Sequence, residues 1–103
     1  MKIRPQAKIQ QEKIQVGEKY IQACLVPFFA KNLIVLLGEK GYVMCGYLDL
    51  TVAEKFSDPA VRIVGVSTIQ EALGTKVDGC TAAARELGIH KDQPISEVLK
   101  LIV

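Results

Sequence analysis

Aromatic and metal-ligating side chains are scarce in this sequence of 103 residues. Tryptophan is absent, aromatic residues make up 6% of the chain, and His90 is its one histidine. A single imidazole is too little for a zinc site of nitrogen ligands. The three cysteines, Cys24, Cys45 and Cys80, are an odd number at wide spacing, which argues against a disulfide scaffold and a zinc ribbon. We therefore predict no metal and no cofactor, and expect the thiols to be small buried hydrophobes in a reducing compartment.

Long apolar runs are also missing. The longest stretch without a charge, Tyr20 to Ala30, has eleven residues and contains Pro27, whereas a bilayer-spanning helix needs about 20 apolar residues. The first six residues, Met-Lys-Ile-Arg-Pro-Gln, contain two charged residues and lack the apolar core of a secretory signal. We expect a cytoplasmic protein without a membrane-spanning segment.

The commonest catalytic signatures are absent as well. The chain contains no Gly-x-x-x-x-Gly-Lys-Ser/Thr, Gly-x-Ser-x-Gly or His-Glu-x-x-His motif, and its eight glycines form no dinucleotide-binding fingerprint. The sequence therefore contains no motif that predicts a particular reaction.

Apolar residues are what the chain has in excess. Hydrophobic residues make up 50% of it and charged residues 23%, with a mean hydropathy of +0.23, which is typical of a compact globular domain. A chain of this length buries only about two-thirds of the surface that its unfolded form exposes. The chain therefore has more apolar residues than a single core of this size can bury. We expect residues 1–103 to form a single domain that assembles with copies of itself as a dimer or tetramer.

Charge is unevenly distributed along the chain. Residues 1–31 hold six basic and two acidic residues, whereas residues 32–103 hold seven basic and nine acidic ones, so the two parts carry +4 and −2. The basic part lacks the aromatic platforms and the arginine density of nucleic-acid-binding modules, and we do not expect a nucleic-acid partner. A solvated face, or one that pairs with an acidic neighbour, is the simpler interpretation.

The residue pattern predicts strands in the first half of the chain. The expected strands cover residues 8–16, 20–28, 32–37 and 42–48, with turns at Gly17–Lys19 and Gly38–Gly41 between them. In the third and fourth strands, the residues directed to either face of the sheet are apolar. In a half-exposed strand, apolar residues alternate with polar ones. Both faces of these strands therefore need cover, one from the chain's own helices and the second from another subunit.

From Asp49 onward the hydrophobic period changes to that of helices. Thr51–Glu54 and Thr68–Glu71 match the capping-box pattern that begins a helix. The order expected for this half is a helix, a strand and three helices, over residues 51–57, 60–67, 68–74, 80–88 and 94–102.

This order, with strands first and most helices after them, predicts an α+β fold. We expect a two-layer sandwich with a mostly antiparallel sheet of about five strands and helices packed on one face. The helix between the fourth and fifth strands allows one crossover.

A cysteine before a glycine, in an apolar strand that ends in aspartate, is the segment of most chemical interest. Cys45 is either a thiolate nucleophile or a buried structural thiol, and Gly46 marks a bulge or the close approach of another backbone or a ligand. Asp49 is either a general base or ligand anchor, or it is a helix cap. Thr68 places its hydroxyl at a strand-to-helix turn, where it either meets an anion or caps the helix. These four residues form the candidate site.

The segment Lys40–Asp49, Lys-Gly-Tyr-Val-Met-Cys-Gly-Tyr-Leu-Asp, resembles the YunC-like family of small bacterial and archaeal proteins of unknown function. Asn32-Leu33, Gly65–Ile69 and Ala83–Ile89 add to the resemblance, which covers residues 20–103. It implies an α+β domain that oligomerises through its N-terminal strands, and we assign that role to the basic residues 1–31. It implies no established activity.

Two hypotheses on function follow. The first is a cytoplasmic homo-oligomeric α+β domain that acts as a binding or scaffolding module. The second is a small-molecule enzyme or ligand sensor with a site around Cys45 and Asp49. Sharing that site between subunits would explain why one chain lacks a full catalytic set.

Overall fold

The computed structural model describes residues 8–103, so residues 1–7 of the basic N-terminal region lie outside the described part. The described residues form one six-stranded sheet in the order β1-β2-β3-β4-β5-β6. Its strands are β1 (Gln10–Val16), β2 (Lys19–Pro27), β3 (Asn32–Leu37), β4 (Tyr42–Met44), β5 (Ala60–Arg62) and β6 (Gly79–Cys80). The helices are α1 (Leu50–Lys55), α2 (Ile69–Leu73), α3 (Ala82–Glu86) and α4 (Ile95–Ile102). None of the helices in residues 8–103 has the length and apolar character that crossing a bilayer requires.

The α+β class with a mostly antiparallel sheet is confirmed. β1 to β4 form an antiparallel meander, and β4 pairs with β5 in parallel because α1 carries the chain across between them. β6 pairs antiparallel with β5 and is a sixth strand, at the place where helical spacing from Cys80 predicted a helix. That helix, α3, begins after Thr81, whose hydroxyl oxygen accepts a hydrogen bond from the Ala84 amide at 3.3 Å.

The inner face of the sheet packs against the apolar stripe of α4. β2 and β3 contribute alternate residues to this core: Ile21, Ala23, Leu25, Ile34 and Leu36. α4 contributes the four positions that its helical spacing predicted: Ile95, Val98, Leu99 and Ile102. Burying one large aliphatic side chain stabilises a fold by about 1.5–3 kcal/mol, so this contact is a main source of stability.

The loop between β3 and β4 lies directly on the end of α4. The Lys40 amide donates to the Ile102 carbonyl oxygen at 2.8 Å, and a Cβ added at Gly38 would overlap that same oxygen. Glycine is required at position 38 because two backbones approach closely there. The predicted Gly38–Gly41 turn is present, closed by a bond from the Gly38 amide to the Gly41 carbonyl at 2.9 Å.

Helix α1 lies on the opposite face of the sheet from α4. Its Ala53 is buried in a second cluster with Ala60, and Tyr42 and Met44 pack against them. These two β4 residues alternate with Val43, which belongs to the main core, so they point to the other side of the sheet. α1 is thus an exception to the expected packing of the helices on one face.

The rest of this second face stays partly accessible over the described residues. Cys24, Val26 and Val35 are half-buried, and Leu37 is 44% exposed. Cys24 lies directly opposite Val35 in the β2–β3 register, which places these side chains side by side. We call these four residues the open face. The prediction that the strands are apolar on both faces is confirmed. That a second subunit covers the open face stays a prediction.

Two strands end earlier than the sequence predicted. β4 ends at Met44, so Gly46 lies in a turn and the predicted bulge within a strand is wrong. β5 ends at Arg62, and Gly65 further along takes a φ of +73°, a conformation that extended strands do not use. The apolar residues beyond these ends belong to loops.

The capping box predicted at Thr51–Glu54 does not begin α1, whereas the helix-cap interpretation of Asp49 is the one that the structure shows. Asp49, and not Thr51, is the N-cap, since its Oδ1 accepts from the Thr51 and Val52 amides at 2.9 and 3.4 Å. Asp49 precedes the first helical residue, where a short carboxylate reaches the free amides of the first turn. Glu54, the acidic half of the predicted box, instead accepts from the Ala82 amide at 3.1 Å.

The fold raises the pKa of one tyrosine. Burial, followed by the hydrogen bond that the Tyr42 hydroxyl donates to Asp58 Oδ2 at 2.9 Å and by the charge of that carboxylate, raises the pKa of Tyr42 from 10.0 to about 12. The folded chain therefore holds this proton more tightly than the unfolded chain. The resulting stability is fully present below pH 10 and is lost as the pH rises through about 12.

We predict that the wild-type protein loses stability between pH 10 and about 12 more steeply than Tyr42→Phe, because only the wild type must release this proton. Urea unfolding at several pH values measures the free energy of unfolding of both proteins. We expect the difference between the two free energies to be constant below pH 10. Tyr20→Phe is the matched control, since Tyr20 is 56% exposed, and we expect it to follow the wild type. Equal slopes for the wild type and Tyr42→Phe would contradict the prediction.

Candidate functional site

The carboxyl ends of the parallel strands β4 and β5 meet the start of β3 at one edge of the sheet. After β4 the chain turns sharply, and the Leu48 amide donates to the Cys45 carbonyl oxygen at 3.0 Å. After β5 the Ile63 amide donates to the Met44 carbonyl oxygen at 2.9 Å and keeps the two strand ends together. In open sheets with parallel strands, ligands bind at the carboxyl ends of those strands.

Cys45 continues the hydrogen bonding between β3 and β4 with its sulfur. The Cys45 amide donates to the Ile34 carbonyl at 3.1 Å, and the Ile34 amide donates to Cys45 Sγ at 3.4 Å. The thiol itself donates to the Asn32 carbonyl oxygen at 3.7 Å. Sulfur takes the place of a backbone acceptor because the chain turns away here. This geometry, with Cys45 only 4% exposed, supports the structural interpretation of the thiol.

The loop after β5 forms a second wall opposite β3. Gly65 turns this loop with its φ of +73°, which glycine adopts without strain. Asn32 Nδ2 donates to the Ser67 carbonyl oxygen at 2.9 Å and ties the loop to the start of β3. The Ser67 amide donates to Glu71 Oε1 at 2.7 Å, which ties it to α2. Both contacts hold the wall in place.

Between the two walls lies an open space of about 360 Å³, which we call the cleft. Nine residues from three segments line it: Lys31, Asn32, Cys45, Gly46, Tyr47, Val64, Gly65, Val66 and Ser67. Small-molecule sites commonly have volumes of about 300–1,000 Å³. The cleft is therefore large enough for a small organic ligand.

Exposed apolar side chains form the rim of the cleft. Tyr47 is 47% exposed and Val64 is 49% exposed. Phe28 packs edge to face on Tyr47, with the ring centroids 5.2 Å apart, and so restrains the orientation of that ring. Lys31 is the one charged residue among the described lining residues. The cleft thus combines apolar walls with a single cationic group.

Two of the four candidate residues line the cleft and two do not. Cys45 and Gly46 are in the lining. Asp49 caps α1, and Thr68 caps α2, where its Oγ1 accepts from the Glu71 amide at 3.0 Å as the capping box predicted. A Cβ on Gly46 would lie 3.9 Å from the Val64 side chain, so no close backbone approach requires glycine there.

The lining has the chemistry of binding rather than of proton transfer. It offers amide, hydroxyl, thiol and ammonium groups, but no carboxylate and no imidazole among the described lining residues. His90 follows α3, and its Nδ1 lies 3.0 Å from the Lys91 carbonyl oxygen. Over residues 8–103, no three side chains of histidine, cysteine, aspartate or glutamate group together as metal ligands would.

Sequence reasoning missed most of the lining. Asn32 and Gly65–Ser67 belong to the segments that carry the family resemblance, so that resemblance contained a signal that residue chemistry alone did not. A second signal was Gly65 within an expected strand, since glycine interrupts strands. Lys31 lies outside those segments and carried no signal, because only the pairing of β3 with β4 brings it to the cleft.

The comparisons with known proteins agree on the family and the fold. A family model described as a domain of unknown function, DUF1805, matches residues 44–102. The uncharacterized protein YunC of Bacillus subtilis (strain 168) is 37% identical over 62 residues, which cover 56% of this chain and 61% of that relative. The chain thus matches less than two-thirds of its curated relative. A crystal structure of TA1206, a protein of unknown function from Thermoplasma acidophilum, has a TM-score of 0.91 and 29% identity over 99% of this chain and 100% of that chain.

We predict that Cys45→Ala destabilises the fold by about 1–3 kcal/mol, because it leaves the buried Ile34 amide without an acceptor. Cys45→Ser keeps an acceptor atom and therefore costs less. Chemical denaturation measures both changes. Cys24→Ala, which removes a half-buried thiol from the open face, is the control and changes stability least. Equal losses for the alanine and serine variants at position 45 would contradict the acceptor role of the sulfur.

Proposed function

The chain belongs to the DUF1805 family of domains of unknown function, and we propose that it is a binding domain that holds a small molecule in the cleft and assembles with copies of itself. The observation that carries the binding role is the combination of about 360 Å³ of space, an apolar rim and one cationic side chain. Sites for small molecules commonly have apolar walls and a few polar groups that orient the ligand.

The composition of the cleft favours a ligand with a flat apolar body and one anionic group. Tyr47 and Val64 supply apolar contact at the rim, and Lys31 supplies the opposite charge. An ammonium group attracts a carboxylate, sulfonate or phosphate as a point charge without demanding one fixed geometry.

A thiol enzyme with Asp49 as its base is the less supported hypothesis. The Cys45 sulfur already bonds two backbone groups of β3, and the Asp49 carboxylate bonds two amides of α1. A general base must lie within hydrogen-bond reach of the proton that it removes. The described lining residues include no carboxylate and no imidazole to act as this base.

Self-association through the N-terminal region, residues 1–31, is our proposal for the assembly. β1 is an edge strand of the described sheet, paired with β2 on one side and exposed over most of its length. The free edge of such a strand is a template for pairing with another chain. We propose the cytoplasm as the compartment, which is supported by three free thiols in the described chain.

We predict that anilinonaphthalene sulfonate, an aromatic anion, binds in the cleft. In amide NMR spectra of the labelled protein, its addition shifts the signals of Gly46, Gly65 and Ser67. Val64→Glu, at an exposed position of the rim, abolishes these shifts, because it replaces an apolar contact by a carboxylate that repels the anion. Ser96→Glu adds the same charge at an exposed position of α4, retains the shifts and is the matched control. Shifts that map elsewhere, or that survive Val64→Glu, would exclude the cleft as the site.

We predict that deleting residues 1–19 lowers the oligomeric state, because the deletion removes β1. Size-exclusion chromatography with light scattering measures the mass, and circular dichroism verifies that the variant is folded. Deleting only residues 1–7 keeps β1 and is the matched control, which retains the assembly. A folded 1–19 deletion variant with the mass of the intact assembly would place the interface outside β1.

A further inference from the structure

The open face of the sheet continues onto one flank of α1. On the other flank, Glu54 accepts from the Ala82 amide at 3.1 Å, so that side of the helix faces α3. Val52 and Phe56 lie one turn apart on the opposite flank, which borders β3 in the strand order. They are 46% and 74% exposed.

Apart from Gln22, which lies opposite Leu37, these side chains form one stepped apolar surface. Cys24, Val26, Val35 and Leu37 lie on the flat part, and the flank of α1 with its two exposed residues rises beside them. Covering such a surface gains about 25 cal/mol for each Å² of apolar area removed from water. Contiguous exposed apolar patches mark interaction surfaces.

We propose that a second copy of this chain covers the open face, so that the subunit interface centres on β2, β3 and the flank of α1. The inference rests on the self-association of the N-terminal region proposed above, and it places the centre of the contact on the open face beside β1 rather than on the free edge of β1. The side of β1 that continues the open face is polar, since it presents Gln11, Lys13 and Gln15. β1 therefore forms the rim of the interface and β2 and β3 its apolar centre.

A two-fold axis parallel to the strands fits the stepped shape. Rotation about this axis places the β1 side of one copy over the α1 side of the other. Each α1 then occupies the space above the partner's β1–β2 hairpin. An in-plane axis perpendicular to the strands would instead set α1 against its own copy and hold the two sheets apart. Two-fold dimers use the same patch twice, which suits a surface with one step.

Charge favours the same arrangement. Lys13 lies on the open side of β1, opposite Gln22, and belongs to the basic half of the sequence. Asp49 and Asp58 lie at the two ends of α1 with Lys55 between them, whereas Glu54 is on the flank that faces α3. In the two-fold dimer Lys13 of each copy meets the α1 side of its partner, where the carboxylates outnumber the ammonium group. This complementarity favours a copy of this chain as the occupant.

Sedimentation equilibrium of Leu37→Lys and Phe56→Lys tests the proposal. These side chains are 44% and 74% exposed in one chain, so lysine is tolerated by the fold, which thermal melting verifies. We expect each variant to raise the dissociation constant of the dimer by about 30-fold or more, because it places a charge at the centre of the interface. Ser96→Lys adds the same charge at an exposed position of α4, on the other side of the sheet, and leaves the constant unchanged.

The alkylation rate of Cys24 locates the contact on the open face. In the wild type, we expect Cys24 to react with iodoacetamide more slowly as the protein concentration rises above the dissociation constant. In Leu37→Lys it reacts at the same rate at all concentrations. Cys80, opposite Val61 on the inner side of the sheet, is the internal reference in both proteins.

An oligomer that persists in both lysine variants overturns the open face as the interface and leaves assembly through the N-terminal strands in place. A monomeric wild-type chain overturns both proposals, while binding in the cleft is tested separately. If Cys24 is protected in a monomer until residues 1–7 are deleted, the chain's own N-terminus covers the open face and the proposal is wrong.

Discussion

The sheet has two apolar faces, and the helices that accompany it cover one of them and a corner of the other. An extended strand directs alternate residues to opposite sides, so Leu36 packs under α4 whereas Val35, beside it, cannot. α1 shields only the end of the second face, around Tyr42 and Ala60. The apolar surface that remains supplies the driving force for the assembly that we propose.

The cleft follows from where the strands stop. β4 has three residues, and at its end the Cys45 sulfur accepts the bond that a backbone carbonyl would have accepted. The crossover through α1 then brings the end of β5 to the same edge, and the Asn32 side chain fixes the distance to the following loop. A rigid sheet thus positions loops of mixed chemistry, which is how many folds build binding sites.

Local sequence patterns predicted those features of the structure that depend only on residues near one another in the chain. The spacing of Ile95, Val98 and Ile102 identified the buried stripe of α4, and Thr68 caps α2 as its pattern indicated. The same pattern failed at α1. There Asp49 reaches the free amides first, and Glu54 is drawn to the Ala82 amide, 28 residues along the chain. A capping motif covers only four residues, so it contains no information on a distant amide that competes for the glutamate carboxylate.

By itself the sequence determined the class of fold, the apolar excess and the family, because hydrophobic period, composition and motif are properties of the chain read in order. Only the tertiary structure decided which residues share a site. Strand pairing and one crossover bring Lys31 and Ser67 beside Cys45. Asp49, four residues from Cys45, is turned away to cap a helix on the other side of the sheet. Neighbours in sequence separate, and distant residues meet, because hydrogen bonding between strands acts across space and not along the chain.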